Sequence, residues 1–216
     1  MEQLLSLVID NPYWDLVRTR VDPKGSLWGT PTVDGYRSTY VANFLKAYEA
    51  GVDRHSLVKR FSWTITDPDT VAFVAQHSGG RLVDPMAGTG YWGWVLTQSG
   101  VDVVSYDREP GTNHYHEGEP LHSTVHRLEG VEAVKLHADR TLFLSWPPMD
   151  ECGADILAAY TGSRVIYIGE SEGGCTGEER LFEQFAKDWT EVADHVPVQW
   201  NGLHDFVAVY DRAVTS

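Results

Sequence analysis

The chain has 216 residues, of which 42% are hydrophobic and 22% are charged, a composition typical of a soluble globular domain. Acidic residues outnumber basic residues by 31 to 17, and the formal net charge is −14. This balance argues against a nucleic acid as the partner, because nucleic-acid-binding proteins use lysine and arginine to neutralise phosphates. No apolar run reaches the roughly 18 residues that a membrane span requires, so a membrane partner is not expected either.

The cysteine content and the first residues favour a cytoplasmic location. Cys152 and Cys175 are too few for a disulfide framework or a zinc site, and both are expected to be free thiols. The N-terminal stretch has an acid at its second position, Glu2, and no small-residue cleavage site, so a signal peptide is not expected. The sequence leaves the oligomeric state open between a monomer and a homodimer.

Residues 1–79 are predicted to form an N-terminal helical extension that acts as a lid. Tyr40, Phe44, Leu45 and Tyr48 recur at helical spacing, and the helix that they indicate is expected to end at Gly51. A second helix is predicted after the start signal Thr66-Asp67-Pro68, where an apolar run follows the proline.

Residues 80–216 are predicted to form an α/β core. Short apolar runs at 81–83, 101–106, 141–145 and 164–168 indicate buried strands, and a weaker run near Val125 indicates another. Helices are predicted between them at 91–99, 131–136, 152–161 and 177–189. This alternation favours a Rossmann-like parallel sheet with helices on both faces. Two further strands, at 191–198 and 206–210, are expected to complete the sheet edge as an antiparallel terminal pair.

The strongest motif is the loop from Asp84 to Gly90, between the first predicted strand and its helix. Gly88 and Gly90 allow a tight turn and the close approach of a ligand to the backbone. A dinucleotide fingerprint would need three glycines around a pyrophosphate, whereas this loop carries a carboxylate at the strand end. A carboxylate suits a ligand that has a cationic amino acid portion and no phosphate.

A second acid, Asp107, ends the second predicted strand about 20 residues further on, where an acid is placed to accept ribose hydroxyls. Together, the glycine loop and Asp107 resemble motif I and the following acidic position of the class I S-adenosylmethionine-dependent methyltransferases. The resemblance implies S-adenosylmethionine as the cofactor, with the loop contacting its methionine and adenosine portions and Asp107 its ribose. Met86 stands where the usual motif has its first glycine. The resemblance assigns cofactor contacts to Asp84, Pro85, Met86, Ala87, Gly88, Gly90, Tyr91, Trp92, Asp107, Ser145, Trp146 and Pro147.

The stretch from Ser145 to Pro148 ends the fourth predicted strand, at the position of methyltransferase motif IV. Amino-methyltransferases have Asp/Asn/Ser-Pro-Pro-aromatic there, but here Trp146 precedes the prolines and Met149 follows them. Their mechanism therefore carries over only in part. The stretch is interpreted as a rigid wall beside the transferable methyl group, and the alternative is a core tryptophan in a stiff loop. Substrate contacts are predicted for Trp63, Trp146, Pro148 and Tyr40.

The order of motifs resembles a group of bacterial methyltransferase-like proteins over about residues 58–212. The matching stretches are Gly88–Gly93, Tyr106-Asp107, Trp146–Pro148, Gly169–Thr176 and Trp200–Asp205. This resemblance is specific for the group and implies nothing about the substrate.

Three residues are candidates for catalysis. Glu170 follows a buried strand within a glycine-rich stretch, at the edge of the sheet where ligands bind in such folds. His204 and Asp205 lie between the last two strands, and a histidine near its usual pKa is the common proton acceptor. His114 and His116 form a His-x-His pair, but the spacings of magnesium-dependent methyltransferases are missing, so no metal is predicted.

The first functional hypothesis is a methyltransferase for a small-molecule acceptor, in a specialised biosynthetic pathway, with O-methylation slightly favoured over N-methylation. The second is an amino-methyltransferase that acts on RNA, DNA or protein. The third is a cofactor-binding protein without catalytic activity.

Overall fold

A computed structural model describes residues 9–21 and 51–213. Seven strands form one sheet in these residues: β1 (Arg81–Asp84), β2 (Asp102–Asp107), β3 (Val125–Arg127), β4 (Thr141–Ser145), β5 (Arg164–Gly169), β6 (Trp189–His195) and β7 (Phe206–Arg212). Their spatial order is β3-β2-β1-β4-β5-β7-β6. Neighbouring strands among β1 to β5 pair in parallel, whereas β7 is antiparallel to both β5 and β6.

The described helices fill the connections between the strands and the segment that precedes them. They are α1 (Pro12–Val17), α2 (Arg54–Arg60), α3 (Pro68–His77), α4 (Tyr91–Gln98), α5 (Gly130–Lys135), α6 (Cys152–Ala159) and α7 (Glu179–Asp188). A 3-10 turn, Arg18–Arg20, extends α1. None of these helices combines the length and the apolar character needed to cross a membrane.

The central strands are buried on both faces, and alternate residues belong to separate cores. Leu82 of β1 and Ile166 of β5 pack in the core formed with α1 to α4, whereas Val83 and Val165 pack in the core formed with α5 to α7. Successive side chains of a strand point to opposite faces, so an uninterrupted apolar run is what a doubly covered strand requires. The predicted α/β fold, with helices on both faces and an antiparallel terminal strand, is confirmed.

The predicted start of α3 is also confirmed. The Asp67 side chain accepts a hydrogen bond from the amide of Thr70, and Pro68 occupies the first turn, where its missing N–H costs nothing. Helix α2 was not predicted from the sequence. Asp53 caps it in the same manner, through the amide of Ser56.

The last helix and strand differ from their predicted bounds for identifiable reasons. Gly177 has a positive φ of 67°, and the Glu178 side chain caps the amide of Arg180, so α7 begins at Glu179 rather than at 177. Strand β6 begins at Trp189, two residues before its predicted start, because the pairing with β7 already includes Trp189 and Arg212. It ends at His195, ahead of Pro197, which has no N–H to donate to the sheet.

The predicted helix around Tyr40, Phe44 and Tyr48 lies outside the described residues. So does the proposed substrate contact of Tyr40. The division into an extension, 1–79, and a core, 80–216, stays a prediction.

Helix α1 is anchored to the core through buried polar groups. The Asn11 side chain, which caps α1, accepts hydrogen bonds from the hydroxyls of Thr66 and Tyr91 and donates to the carbonyl of Thr66. The Tyr13 ring stacks on Phe61 at 5.2 Å, and its hydroxyl accepts from the indole N–H of Trp200. Residues 11 and 13, at the start of α1, are therefore part of the packed core.

Asn11→Ala should destabilise the protein by about 2–4 kcal/mol, because it removes a helix cap and leaves the buried hydroxyls of Thr66 and Tyr91 without their acceptor. The free energy of unfolding in urea measures the effect. Asp10→Ala, at the exposed neighbouring position, should change it by less than about 0.5 kcal/mol. Equal effects of the two substitutions would contradict the proposed anchor.

Candidate active site

A cavity of about 570 Å³ lies at the carboxyl edge of the sheet. Its wall includes Asp84 at the end of β1, Asp107 at the end of β2 and Ser145 at the end of β4. Because β1 pairs in parallel with both β2 and β4, these strand ends are brought to one edge. The volume falls within the range of small-molecule sites, about 300–1,000 Å³.

The loop from β1 to α4 is tied to the end of β2. The amide of Gly88 donates to Asp107 Oδ2 at 3.0 Å, and the amide of Ala87 donates to the carbonyl of Tyr106 at 2.8 Å. Gly88 has a φ of +53°, and a Cβ there would lie 2.7 Å from His116 Nε2. Glycine is therefore required at this position both by the backbone conformation and by the packing of His116.

Asp84 is a buried carboxyl group on the cavity wall, with 2% of its surface exposed. Its Oδ1 accepts a hydrogen bond from the amide of Met86 at 3.3 Å. Burial, with the nearby charge of Asp107, raises the pKa of Asp84 to about 8. A buried carboxylate of this kind is stabilised by a cation, which is what the amino group or sulfonium of a bound ligand would provide.

Two further groups fit a nucleoside ligand at this wall. Asp107 uses Oδ1 for the amide of Glu109 and Oδ2 for that of Gly88, and each carboxylate oxygen can accept a second hydrogen bond from a ribose hydroxyl. The indole N–H of Trp92 is buried and has no hydrogen-bond partner within residues 9–21 and 51–213, and Trp92 lines the cavity. These residues fit S-adenosylmethionine, which brings a cationic amino acid portion and a ribose.

The segment between β2 and β3 forms another part of the cavity wall, and two histidines fix it to α2. His116 Nδ1 donates to the carbonyl of Lys59, and His122 Nε2 donates to that of Arg60, each at 2.8 Å. Burial lowers the pKa of His116, which favours the neutral ring. Within residues 9–21 and 51–213, no three His, Cys, Asp or Glu side chains are grouped so that they could hold a metal ion.

Trp146 has a left-handed backbone, with a φ of +51°. Its amide donates to the carbonyl of Ile168 at 2.7 Å, and its indole N–H donates to Thr64 Oγ1 at 2.6 Å. The Thr64 hydroxyl in turn donates to Asp205 Oδ2 at 2.6 Å. This chain of hydrogen bonds holds a strained backbone in place, and it fixes the indole ring on the cavity wall.

An aromatic cluster surrounds Trp146. The Trp63 ring stacks on it at 5.2 Å with an interplanar angle of 18°, and the Tyr115 ring meets Trp63 edge-on at 5.6 Å. The Arg54 guanidinium lies 5.4 Å from the Trp63 ring and 5.8 Å from the Trp146 ring. All four residues line the cavity.

The three predicted catalytic residues are not among those that line the cavity. Glu170 accepts hydrogen bonds from the amide and thiol of Cys175 and from the amide of His204, so its carboxylate joins two loops. Burial acts to raise the pKa of Glu170, but these hydrogen bonds outweigh it and hold the pKa below its ordinary value. Burial raises the pKa of Asp205, which contacts Trp146 through Thr64. The His204 side chain is exposed. A direct role of Glu170, His204 or Asp205 in proton transfer stays a prediction. The contacts described for them do not support it.

Most residues predicted for the ligands lie on the cavity wall, although their ligand contacts stay predictions. Those found there are Asp84, Pro85, Met86, Ala87, Gly88, Tyr91, Trp92, Asp107, Ser145, Trp146, Pro147, Trp63 and Pro148. Gly90 is not among them, and it precedes α4 with a φ of +73°. The Tyr91 hydroxyl is directed to Asn11 in the core. Sequence reasoning missed Arg54 and Tyr115, because neither belongs to a motif.

No protein-family model matches the chain, and no curated protein matches its sequence. Solved structures do match. The 1,6-didemethyltoxoflavin-N1-methyltransferase of Burkholderia thailandensis, solved with 1,6-didemethyltoxoflavin and S-adenosylhomocysteine, is 16% identical over 86% of this chain and 93% of that chain, with a TM-score of 0.47. Magnesium protoporphyrin IX methyltransferase of Synechocystis PCC 6803, solved with S-adenosylmethionine, is 10% identical over 99% of this chain and 100% of that chain, with a TM-score of 0.46. Sp1610 of Streptococcus pneumoniae, described as a candidate tRNA (m1A22) methyltransferase, is 11% identical over 70% and 72%, with a TM-score of 0.48.

At these identities and TM-scores the likeness assigns no role to this chain, and the sheet itself defines the fold. Five parallel strands in the order β3-β2-β1-β4-β5, followed by an antiparallel β7 inserted between β5 and β6, form a Rossmann-like sheet.

Asp84→Asn should change how stability depends on pH. The carboxyl has a pKa near 4 when unfolded and about 8 when folded, so the folded state binds the extra proton between these values. The Asp84 carboxyl therefore costs stability increasingly as pH rises through this window, and the variant should gain stability over the wild type from pH 5 to pH 8. Urea unfolding at both pH values measures the gain, and parallel pH profiles would contradict the burial of a charge at this position.

Thr64→Val should lower the free energy of unfolding by about 2–4 kcal/mol, because the Trp146 N–H and Asp205 Oδ2 lose their buried partner. Thr190→Val, at an exposed position of β6, is the matched control and should change it by less than about 0.5 kcal/mol. Denaturant unfolding of both variants measures the difference, and a neutral effect of Thr64→Val would argue against the hydrogen-bonded chain.

Proposed function

We propose that the protein is an S-adenosylmethionine-dependent methyltransferase for a small-molecule acceptor. The observation that carries the proposal is that Asp84 and Asp107 end two adjacent parallel strands and lie on the wall of one cavity. A glycine turn follows Asp84. Two carboxylates without a phosphate-binding cradle suit a ligand that offers a cation and a ribose.

Each carboxylate has a separate role in this proposal. Asp84 pairs with the cationic amino acid portion of the cofactor, which relieves the cost of its burial. Asp107 accepts hydrogen bonds from the ribose hydroxyls, and the amides of Gly88 and Glu109 hold it in position. Because both groups are fixed by the backbone, the cofactor is bound with its methyl group in a defined direction.

The wall that follows β4 faces the acceptor. When bound, the cofactor would supply an electrophilic methyl group on a sulfonium, which is already a good leaving group. Catalysis then depends mainly on alignment, which the prolines 147 and 148 and the fixed Trp146 ring provide. Enclosure by Trp63, Trp92 and Trp146 keeps water from the sulfonium.

A hydroxyl acceptor is expected ahead of an amine. Trp146 stands where the amino-methyltransferase pattern has its polar residue, and an indole offers no acceptor for an NH₂ group. The indole N–H of Trp146 already donates to Thr64, and its backbone N–H donates to Ile168. The acceptor's proton passes to water or to a base, and the proposal does not require a particular side chain to receive it.

The charge balance supports a small acceptor over RNA or DNA. With a net charge of −14, the surface repels polyanions over a Debye length, about 8 Å at physiological ionic strength. The assay that separates these alternatives uses methyl-labelled S-adenosylmethionine with a small-molecule extract in one reaction and total RNA in another. Label should enter the small-molecule fraction. Incorporation into RNA only, with activity that falls steeply with salt, would favour the nucleic-acid alternative.

Asp107→Ala should weaken binding of S-adenosylhomocysteine by at least about tenfold, because two hydroxyl hydrogen bonds to a charged group are lost. Asp107→Asn keeps one oxygen for the backbone amides and should also bind more weakly. Asp69→Asn, which is exposed at the start of α3, is the control and should bind like the wild type. Isothermal titration calorimetry gives the affinities, and unchanged affinity in folded Asp107 variants would refute the ribose contact.

A further inference from the structure

The part of the cavity wall formed by Arg54, Trp63 and the stretch from Trp146 to Pro148 is called the acceptor half. It contains a cation among aromatic rings. Arg54, the first residue of α2, is within cation–π distance of both Trp63 and Trp146. The cavity is also lined by the acids Asp84, Asp107, Glu109, Glu129 and Asp150 and by a second arginine, Arg108, which follows β2. Of the two arginines, Arg54 is the one that lies against the aromatic rings.

Arg54 is not neutralised by an ion pair in the described residues. The ion pairs found there use Arg18, Arg81, Lys135, Arg140, Arg164 and Arg180. The carboxylate of its neighbour Asp53 is engaged by the amide and the hydroxyl of Ser56 instead. In a chain with 31 acids and 17 bases, a guanidinium on the cavity wall whose Nε is buried without a hydrogen-bond partner among the described residues requires an explanation.

The rings beside Arg54 form an aromatic stack on the cavity wall. Trp63 and Trp146 lie against each other with their ring centroids 5.2 Å apart and an interplanar angle of 18°, and Pro148 also lines the cavity. The hydrogen-bonded chain through Thr64 to Asp205 prevents the Trp146 ring from turning. A rigid aromatic stack favours a planar ligand that extends it, because stacked rings gain energy beyond the area that they bury.

We infer that the acceptor is a planar aromatic molecule carrying an anionic group, with its ring extending the Trp63–Trp146 stack beside Pro148 and its anion at Arg54. This inference rests on the proposed function for the identity of the bound molecule as a methyl acceptor. A guanidinium pairs with a carboxylate through two parallel hydrogen bonds, which fixes the orientation of the ring as well as its position. Arg54 is therefore the residue that determines specificity, and Trp63 and Trp146 provide the stacking surface.

The test uses three matched probes with the full chain, in the presence and absence of saturating S-adenosylhomocysteine. Naphthalene carboxylate is planar and anionic, its carboxamide is planar and neutral, and the fully saturated ring carboxylate is anionic and not planar. Naphthalene carboxylate should bind at least about tenfold more tightly than either of the others in calorimetric titrations.

Variants show which residues are responsible for the preference for a planar, anionic probe. Arg54→Met should reduce the affinity for naphthalene carboxylate to that for the carboxamide, and Arg54→Lys should retain part of the difference, since it keeps the charge and loses the planar fork. Trp63→Leu should weaken both planar probes by similar factors. Arg18→Met, an exposed arginine at the end of α1, should leave all three affinities unchanged.

The inference is overturned if the carboxamide binds as tightly as the carboxylate, or if Arg54→Met weakens both alike. It is also overturned if S-adenosylhomocysteine binds and none of the probes does, in which case the proposed function stands. Conversely, failure of S-adenosylhomocysteine to bind overturns the proposed function, and the probe titrations without it then decide whether the aromatic anion site exists.

Discussion

The parallel pairing of β1 with β2 and with β4 is the constraint on which the candidate site depends. It brings Asp84, Asp107 and Ser145 to one edge of the sheet, although they come from separate parts of the chain. The pairing also decides which groups are buried. Because helices cover both faces, the strand ends meet in a region with little water, where a carboxylate such as Asp84 has a raised pKa.

Charged groups of both signs surround this edge. The carboxylates of Asp84 and Asp107 lie at the ends of β1 and β2, and the guanidinium of Arg54 lies among the rings of the acceptor half. This arrangement suits a reaction in which a cationic methyl donor meets an anionic acceptor, since each ligand finds a group of opposite charge. Two residues that do not line the cavity hold its wall in place. Glu170 joins the loops after β5 and before β7, and Asp205 reaches Trp146 through Thr64.

Sequence reasoning was sufficient for the features that depend on local patterns. The strands could be predicted because both of their faces are buried, and the start of α3 because Asp67 and Pro68 act within one turn. The positions of Asp84 and Asp107 followed from the order of strand, glycine loop and helix.

The acceptor half could not be predicted in this way. Thr64 and Asp205 are 141 residues apart, and nothing near either of them indicates the contact. Arg54 resembles an ordinary arginine at the start of a short helix, and only the fold places it against Trp63 and Trp146. Glu170 and Asp205 were expected to be catalytic because they follow or precede strands at the correct edge, but that position does not specify which way a side chain points.

The hydrogen bond between Trp200 and Tyr13 has a consequence for how the protein folds. These residues are 187 positions apart, and the same core also includes Tyr91 and Val207. Contacts of such sequence separation must overcome the entropy of closing a long loop, and they slow folding. Helix α1 is synthesised long before its partner Trp200. The nascent chain therefore cannot complete this core until Trp200 has left the ribosome, and until then the apolar face of α1 needs protection from other chains.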